Sequence, residues 1–162
     1  MSDNVTPFRR PPKRPVAPQQ RGGLGFQTHR GKAVLVHLLV IASYTCAFFF
    51  PFPAPAGAPI ILVIASCFSL AFAFCTIALA MPNRYDAMPW AATHHEQAIR
   101  TLIIGYSIWV LASALTYVSS ALGLVAYFVH MAVLVWAAIR SIFGLVLALM
   151  RRPIPHPHGM LL

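Results

Sequence analysis

The chain has 162 residues, of which 59% are hydrophobic and only 9% charged, and its formal net charge is +9. Soluble domains carry about 25% charged residues, so with a mean hydropathy of +0.72 the composition argues against an ordinary soluble fold. The length suits one domain. Cys46, Cys67 and Cys75 fall inside apolar runs at no metal-ligand spacing and read as small buried hydrophobes.

Residues 1–32 form a basic, Pro-rich tail that holds seven of the twelve Lys/Arg: Arg9, Arg10, Lys13, Arg14, Arg21, Arg30 and Lys32. Such a composition cannot bury a core and predicts disorder. Beside a membrane span its natural partner is anionic lipid, and without a nucleic-acid-binding signature no nucleic acid is expected.

A membrane domain is expected over residues 33–150. Its first apolar run is Ala33 to Phe50, closed by "PFPAPAGAP", and the second runs from Ile60 to Met81, stopped by Pro82. A helix needs roughly 20 residues to cross about 30 Å of hydrocarbon, so both qualify as spans, 33–50 and 60–81. "APA" at residues 54–56 resembles a signal-peptidase site, but the apolar core is too long and the preceding region too extended. The first span is expected to be retained.

A third span is predicted over 101–118, then a turn, "SSALG", and a fourth span over 123–140. Apolar sequence continues beyond Arg140 as "SIFGLVLALM". In one layout the span ends near Arg140, with residues 141–150 as an interfacial or tilted extension. In the other it shifts to 131–150 and carries Arg140 to mid-membrane, at about 2.5–3.5 kcal/mol or more. The first is expected. Residues 151–162 form a C-terminal tail.

Charge sets the orientation. The tail, the loop with Arg84 and Arg100, and the end with Arg140, Arg151 and Arg152 hold every basic residue, while segments 51–59 and 119–123 hold none. The positive-inside rule then predicts an all-α integral membrane protein: four transmembrane helices in two hairpins, a four-helix bundle with both termini cytoplasmic.

Between spans two and three lies "THHEQAIRT", residues 93–101. Thr93 and Glu96 have capping-box spacing, predicting a helix start at Thr93, and Glu96 precedes Arg100 by four residues, as in a helical ion pair. A zinc-protease H-E-x-x-H motif fails because Ile99 stands where the second histidine belongs. Adjacent His94 and His95 diverge by about 100° on a helix and chelate poorly, so no metal is expected.

His94 with Ile99-Arg100-Thr101, then a two-span hairpin, Trp136-x-x-x-Arg140-x-x-x-Gly144 and Arg152-Pro153-Ile154, resembles a family of small bacterial inner-membrane proteins. That family is of unknown function and is distantly grouped with the chloroplast inner-envelope import component. The resemblance covers about residues 93–154, with Ala98 where the family usually has Gln. It implies a four-helix protein of the bacterial inner membrane with no established activity.

His37 and His130 are intramembrane ionisable residues and so functional candidates by default. A bis-histidine haem would need both at similar depth, yet their positions differ by roughly 7 Å along the membrane normal; hydrogen bonds to neighbouring helices are the simpler expectation, with no cofactor. Ala65, Ser69 and Ala73, and Ala112, Thr116 and Ser120, make small-residue stripes suited to helix packing or dimerisation. Tyr85, Trp90 and Trp136 suit interfacial belts, whereas Trp109 is placed inside the bundle.

No nucleophile–base pair, paired intramembrane carboxylates or complete metal motif is legible. The expectation is a non-enzymatic membrane protein that holds, assembles or modulates membrane partners, among lipids, other membrane proteins and copies of itself. The alternative is a small transporter or channel component; haem binding, or lipid-phosphate binding through Arg100 and Arg140, ranks lower. Candidate partner or headgroup residues are Arg100, Arg140, His94, Glu96 and Trp136, with His37 and His130 as intramembrane polar candidates.

Overall fold

The computed structural model describes residues 25, 27–50, 57–119, 121–157 and 159. Residues 1–24 and 26 of the N-terminal tail, and most of the first loop, lie outside the described residues. The end of the tail, expected to be disordered up to Lys32, is instead helical from His29, four residues ahead of the expected span. Among the described residues four helices follow in chain order: α1 (His29–Phe49), α2 (Ile60–Asp86), α3 (Pro89–Val118) and α4 (Leu122–Leu149). Among the described residues there is no strand. All four helices are long and apolar enough to cross a membrane, which makes this a multi-pass membrane protein.

Local chemistry explains the helix ends. Thr28 caps α1, its hydroxyl oxygen accepting from the Gly31 amide at 3.0 Å. At the other end Phe50 precedes proline and leaves the helical region, with φ −124°. Pro82 does not stop the second helix, contrary to expectation: α2 runs through it to Asp86. There Asn83 Nδ2 donates to the Leu79 carbonyl at 2.7 Å, supplying a side-chain donor beside the proline-interrupted ladder. Lys32 Nζ donates to Asn83 Oδ1 at 2.9 Å and ties this extension to α1.

The capping-box expectation at Thr93 is wrong. The third helix starts at Pro89, a favoured first-turn residue whose missing amide costs nothing there. Thr93 therefore lies within the helix, its hydroxyl donating to the Trp90 carbonyl at 2.8 Å. The fourth helix continues unbroken past Arg140 to Leu149. It closes with a left-handed Arg151 (φ 56°), the Arg152 amide reaching Leu147 O at 2.9 Å and the Arg151 amide Ala148 O at 3.1 Å. That is a Schellman ending with arginine where glycine is usual, and Pro153 then forbids further helix.

Cross-helix contacts fix the topology. Lys32–Asn83 and Ser43–Ser69 run α1 antiparallel to α2, and Ser113–His130 with Thr101–Arg140 do the same for α3 and α4. His37–His94 and Tyr44–Thr101 make α1 and α3 parallel across the short diagonal of the bundle. Helix α1 touches all three others, whereas α2 and α4 do not meet among the described residues.

The packing is that of a chain whose solvent is lipid. Small residues such as Ala33, Ala47, Ala80, Ala98 and Ala137 are buried, as are polar Ser43, Ser66, Ser69, Thr76 and Thr101. Large apolar side chains such as Phe68, Phe74, Leu111 and Ile139 face outward. Lipid tails offer no hydrophobic drive between helices, so close backbone approach and internal hydrogen bonds hold the bundle. Tyr44 shows both: its hydroxyl donates to Thr101 O at 2.8 Å while its ring fills the notch at Gly105, where a Cβ would overlap it. The α2 stripe turns inward at Ser69 and Ala73, serving packing, whereas Thr116 is exposed. Cys67 and Cys75, expected to be buried, instead lie exposed on α2, and Cys46 is half-buried. Apolar surroundings in the sequence mean membrane here, and lipid-facing positions are as apolar as buried ones.

Candidate functional site at the basic end

The start of α1, the end of α2, the start of α3 and the end of α4 converge in one half of the bundle, which holds every described Lys and Arg. His94 is its pivot. This fully buried residue places Nδ1 3.0 Å from His37 Nε2 and Nε2 2.9 Å from the Arg152 carbonyl oxygen. A carbonyl only accepts, so His94 Nε2 carries the proton and donates. With both rings uncharged, His94 Nδ1 then accepts from His37 Nε2–H, which sets both tautomers. One imidazole thus joins α1, α3 and the segment after α4.

That segment folds back as a strap. The Ile154 amide donates to Thr93 Oγ1 at 3.0 Å, and the Ile154 side chain is 2% exposed. Deeper in, Arg140 is 1% exposed; its Nε donates to Thr101 Oγ1 at 3.2 Å and its Nη1 to the Gly159 carbonyl at 2.6 Å. The guanidinium lies 5.3 Å from the Trp136 ring centre, one turn earlier on α4, within cation–π range. Thr101 passes the connection on, its hydroxyl donating to Gln97 O at 2.8 Å.

Three buried side chains here hold polar atoms without partners among the described residues: both ring nitrogens of His95, both amide atoms of Gln97, and Arg140 Nη2. Gly144 makes room for this group. A Cβ there would stand 2.6 Å from His37 Nε2 and 2.8 Å from Gln97 Oε1.

Glu96 points elsewhere. It accepts from Arg100 Nε at 2.7 Å, the expected helical pair, and approaches Arg84 Nη1 at 3.6 Å. Arg84 also meets the Tyr85 hydroxyl and covers its ring. An open cleft of about 300 Å³ borders these groups, lined by Arg84, Tyr85, Ala92, Thr93, Glu96 and Pro157. Arg100 and Arg140, weighed together as a phosphate clamp, have separate partners: Arg100 is turned to Glu96, and Arg140 is roofed by the strap.

His130 lies in the other half. It stacks on Trp109 at 4.2 Å and 14°, and its Nε2 reaches Trp109 O at 3.1 Å and Ser113 Oγ at 3.2 Å. Trp109 is buried, as expected. His37 and His130 are not brought together; each is held by its own neighbours. No group of three His, Cys, Asp or Glu that could hold a metal occurs among the described residues.

Gln97, Thr101 and Gly144 were not singled out by charge or chemistry in the sequence. Thr101 and Gly144 entered only through the family resemblance, and the physical signal open to all three was spacing, since Gln97–Thr101 and Arg140–Gly144 are each four apart and so share a helix face. No family model, curated protein or solved structure matches this chain.

Proposed function

We propose that the chain is a non-enzymatic integral membrane protein, with both termini in the cytoplasm, that holds, assembles or modulates partner membrane proteins. The bacterial inner membrane is the location suggested by the motif resemblance over residues 93–154. The observation that carries the reading is the uneven enclosure of the helices: 39% of the α1 span lies inside the bundle but only 22% of the α2 span. Helix α2 presents Ile61, Ile64, Phe68 and Phe74 outward, while Ser66, Ser69 and Thr76 are turned in. The hydroxyls of Ser66, Ser69 and Thr76 bond to carbonyls of α2 itself, leaving this apolar face for lipid or another protein. The gathering of described basic residues at one end supports the orientation.

A photo-crosslinker at Phe74, compared with one at Ile139 on α4, tests the reading in native membranes. The expected result is one reproducible protein adduct from Phe74; lipid adducts alone from both positions would contradict it.

A second reading, a small transporter or channel component, is favoured by polar groups spaced along the interior: His130 with Ser113, Ser43 with Tyr106, Thr101 with Arg140, and His37 with His94. Proton flux in liposomes that falls in His37→Phe and His130→Phe would establish it, and absence of flux would remove it.

A further inference from the structure

Among the described residues, Arg140 brings a positive charge into the bundle without a carboxylate to meet it. Among the described residues, the ion pairs of Glu96 are with Arg84 and Arg100, and Arg140 has none. A buried charge left unpaired is strongly destabilising, and a buried donor without an acceptor signals an ion or water that belongs beside it. The donors here are grouped. Arg140 with Thr101 forms one rung between α4 and α3. Gly144 with Gln97 forms the next, one helical turn nearer the basic end. The two rungs are successive turns of the same helix pair, about 5 Å of backbone rise apart, and neither Arg140 Nη2 nor the Gln97 amide has a partner among the described residues.

We propose that Arg140 and Gln97, roofed by the strap that ends in the Gly159 carbonyl contact, form an internal site for one small phosphate-class oxyanion. Arg140 Nη2 supplies a charge-assisted donor and the Gln97 carboxamide a second, neutral one. Thr101 and Trp136 hold the guanidinium in place. Water could satisfy the same hydrogen bonds, but only an anion also balances the charge. The phosphate can be free in solution or belong to a lipid headgroup. This site is independent of the partner-holding reading.

The test is thermal unfolding of the full chain, followed by tryptophan fluorescence. In one arm, inorganic phosphate is titrated in a neutral detergent against chloride of equal ionic strength. In the other, nanodiscs of phosphatidylcholine are compared with nanodiscs of increasing phosphatidylglycerol content. A saturable rise in melting temperature is expected in at least one arm. Response to inorganic phosphate identifies the free ion, and response to phosphatidylglycerol alone identifies a headgroup. Gln97→Leu should weaken the apparent affinity about tenfold or more, as for loss of a hydrogen bond to a charged group. Arg140→Gln should abolish the response, and Arg84→Gln, which removes a surface charge, should retain it. If Arg140→Gln does not fold, Gln97→Leu decides. No saturable rise in either arm, or an undiminished rise in Gln97→Leu, overturns the site and leaves water in its place.

Discussion

Gly144 of α4 lies against His37 of α1 so closely that a methyl group at position 144 would stand 2.6 Å from His37 Nε2. The absence of a side chain lets the imidazole lie between two helices and still reach His94. Gly144→Ala should therefore destabilise the bundle by about 1–3 kcal/mol, the usual range for overpacking. Gly123, on the same helix with open space around it, should behave oppositely, gaining up to about 1 kcal/mol as alanine through helix propensity. Unfolding of both variants in detergent checks the contrast; equal effects would mean that the His37 contact is not made.

Tyr44 and Gly105 form a second such fit, with a hydrogen bond as well. Tyr44→Phe leaves the ring in its notch but removes the donor to Thr101 O. The expected cost is about 0.6–1.7 kcal/mol, the scale of hydrogen bonds inside membrane proteins. Gly105→Ala should cost more, because the ring itself must move. A reversed order in unfolding free energy would contradict this packing.

The strap is fastened by Thr93 and by burial of Ile154. Ile154→Ala should release it, since truncating a buried isoleucine costs about 2–5 kcal/mol. At a chain end that cost appears as local opening. Trypsin cleavage after Arg151 should accelerate in Ile154→Ala and, to a smaller degree, in Thr93→Val, which loses the acceptor for the Ile154 amide. Unchanged cleavage rates would show that the strap is not held by these contacts.

Glu96 provides the opposite case, an ion pair that contributes little. Its partner Arg100 has a side chain 41% exposed. Exposed pairs are worth about 0–1 kcal/mol and are screened by salt. Glu96→Gln should change stability by no more than that, with the difference shrinking at high ionic strength. A larger, salt-insensitive loss would place Glu96 in the buried network instead.

How much of this was legible beforehand follows from what each feature depends on. Four spans were readable because hydrocarbon thickness imposes a length that a run such as Ile60 to Met81 meets without reference to any other segment. The Glu96–Arg100 pair was readable because both residues lie on one helix face. Helix ends were less so. Pro82 and Thr93 carry strong local stop and start signals, yet Asn83 supports the helix beyond the first and Pro89 begins the helix ahead of the second. The joining of His37 to His94, 57 residues apart, depends on the relative rotation of α1 and α3. No periodicity within either helix specifies that rotation. The strap was similarly hidden: a Pro-rich tail reads as a tail until its amide at Ile154 finds Thr93. Cys67 and Cys75 mark the limit of hydropathy, which cannot separate the lipid-facing side of α2 from its packed side.

Everything proposed here depends on four crossings that leave the basic groups in one aqueous compartment. Single cysteines at Gly57, Arg84, Ser119 and Arg152, in a chain whose Cys46, Cys67 and Cys75 are replaced by alanine, can be labelled from either side of sealed membranes with an impermeant maleimide. The positions at 84 and 152 should label together from the cytoplasmic side, and those at 57 and 119 together from the opposite side. Labelling of positions 57 and 84 from one and the same side would contradict the topology and the site built on it.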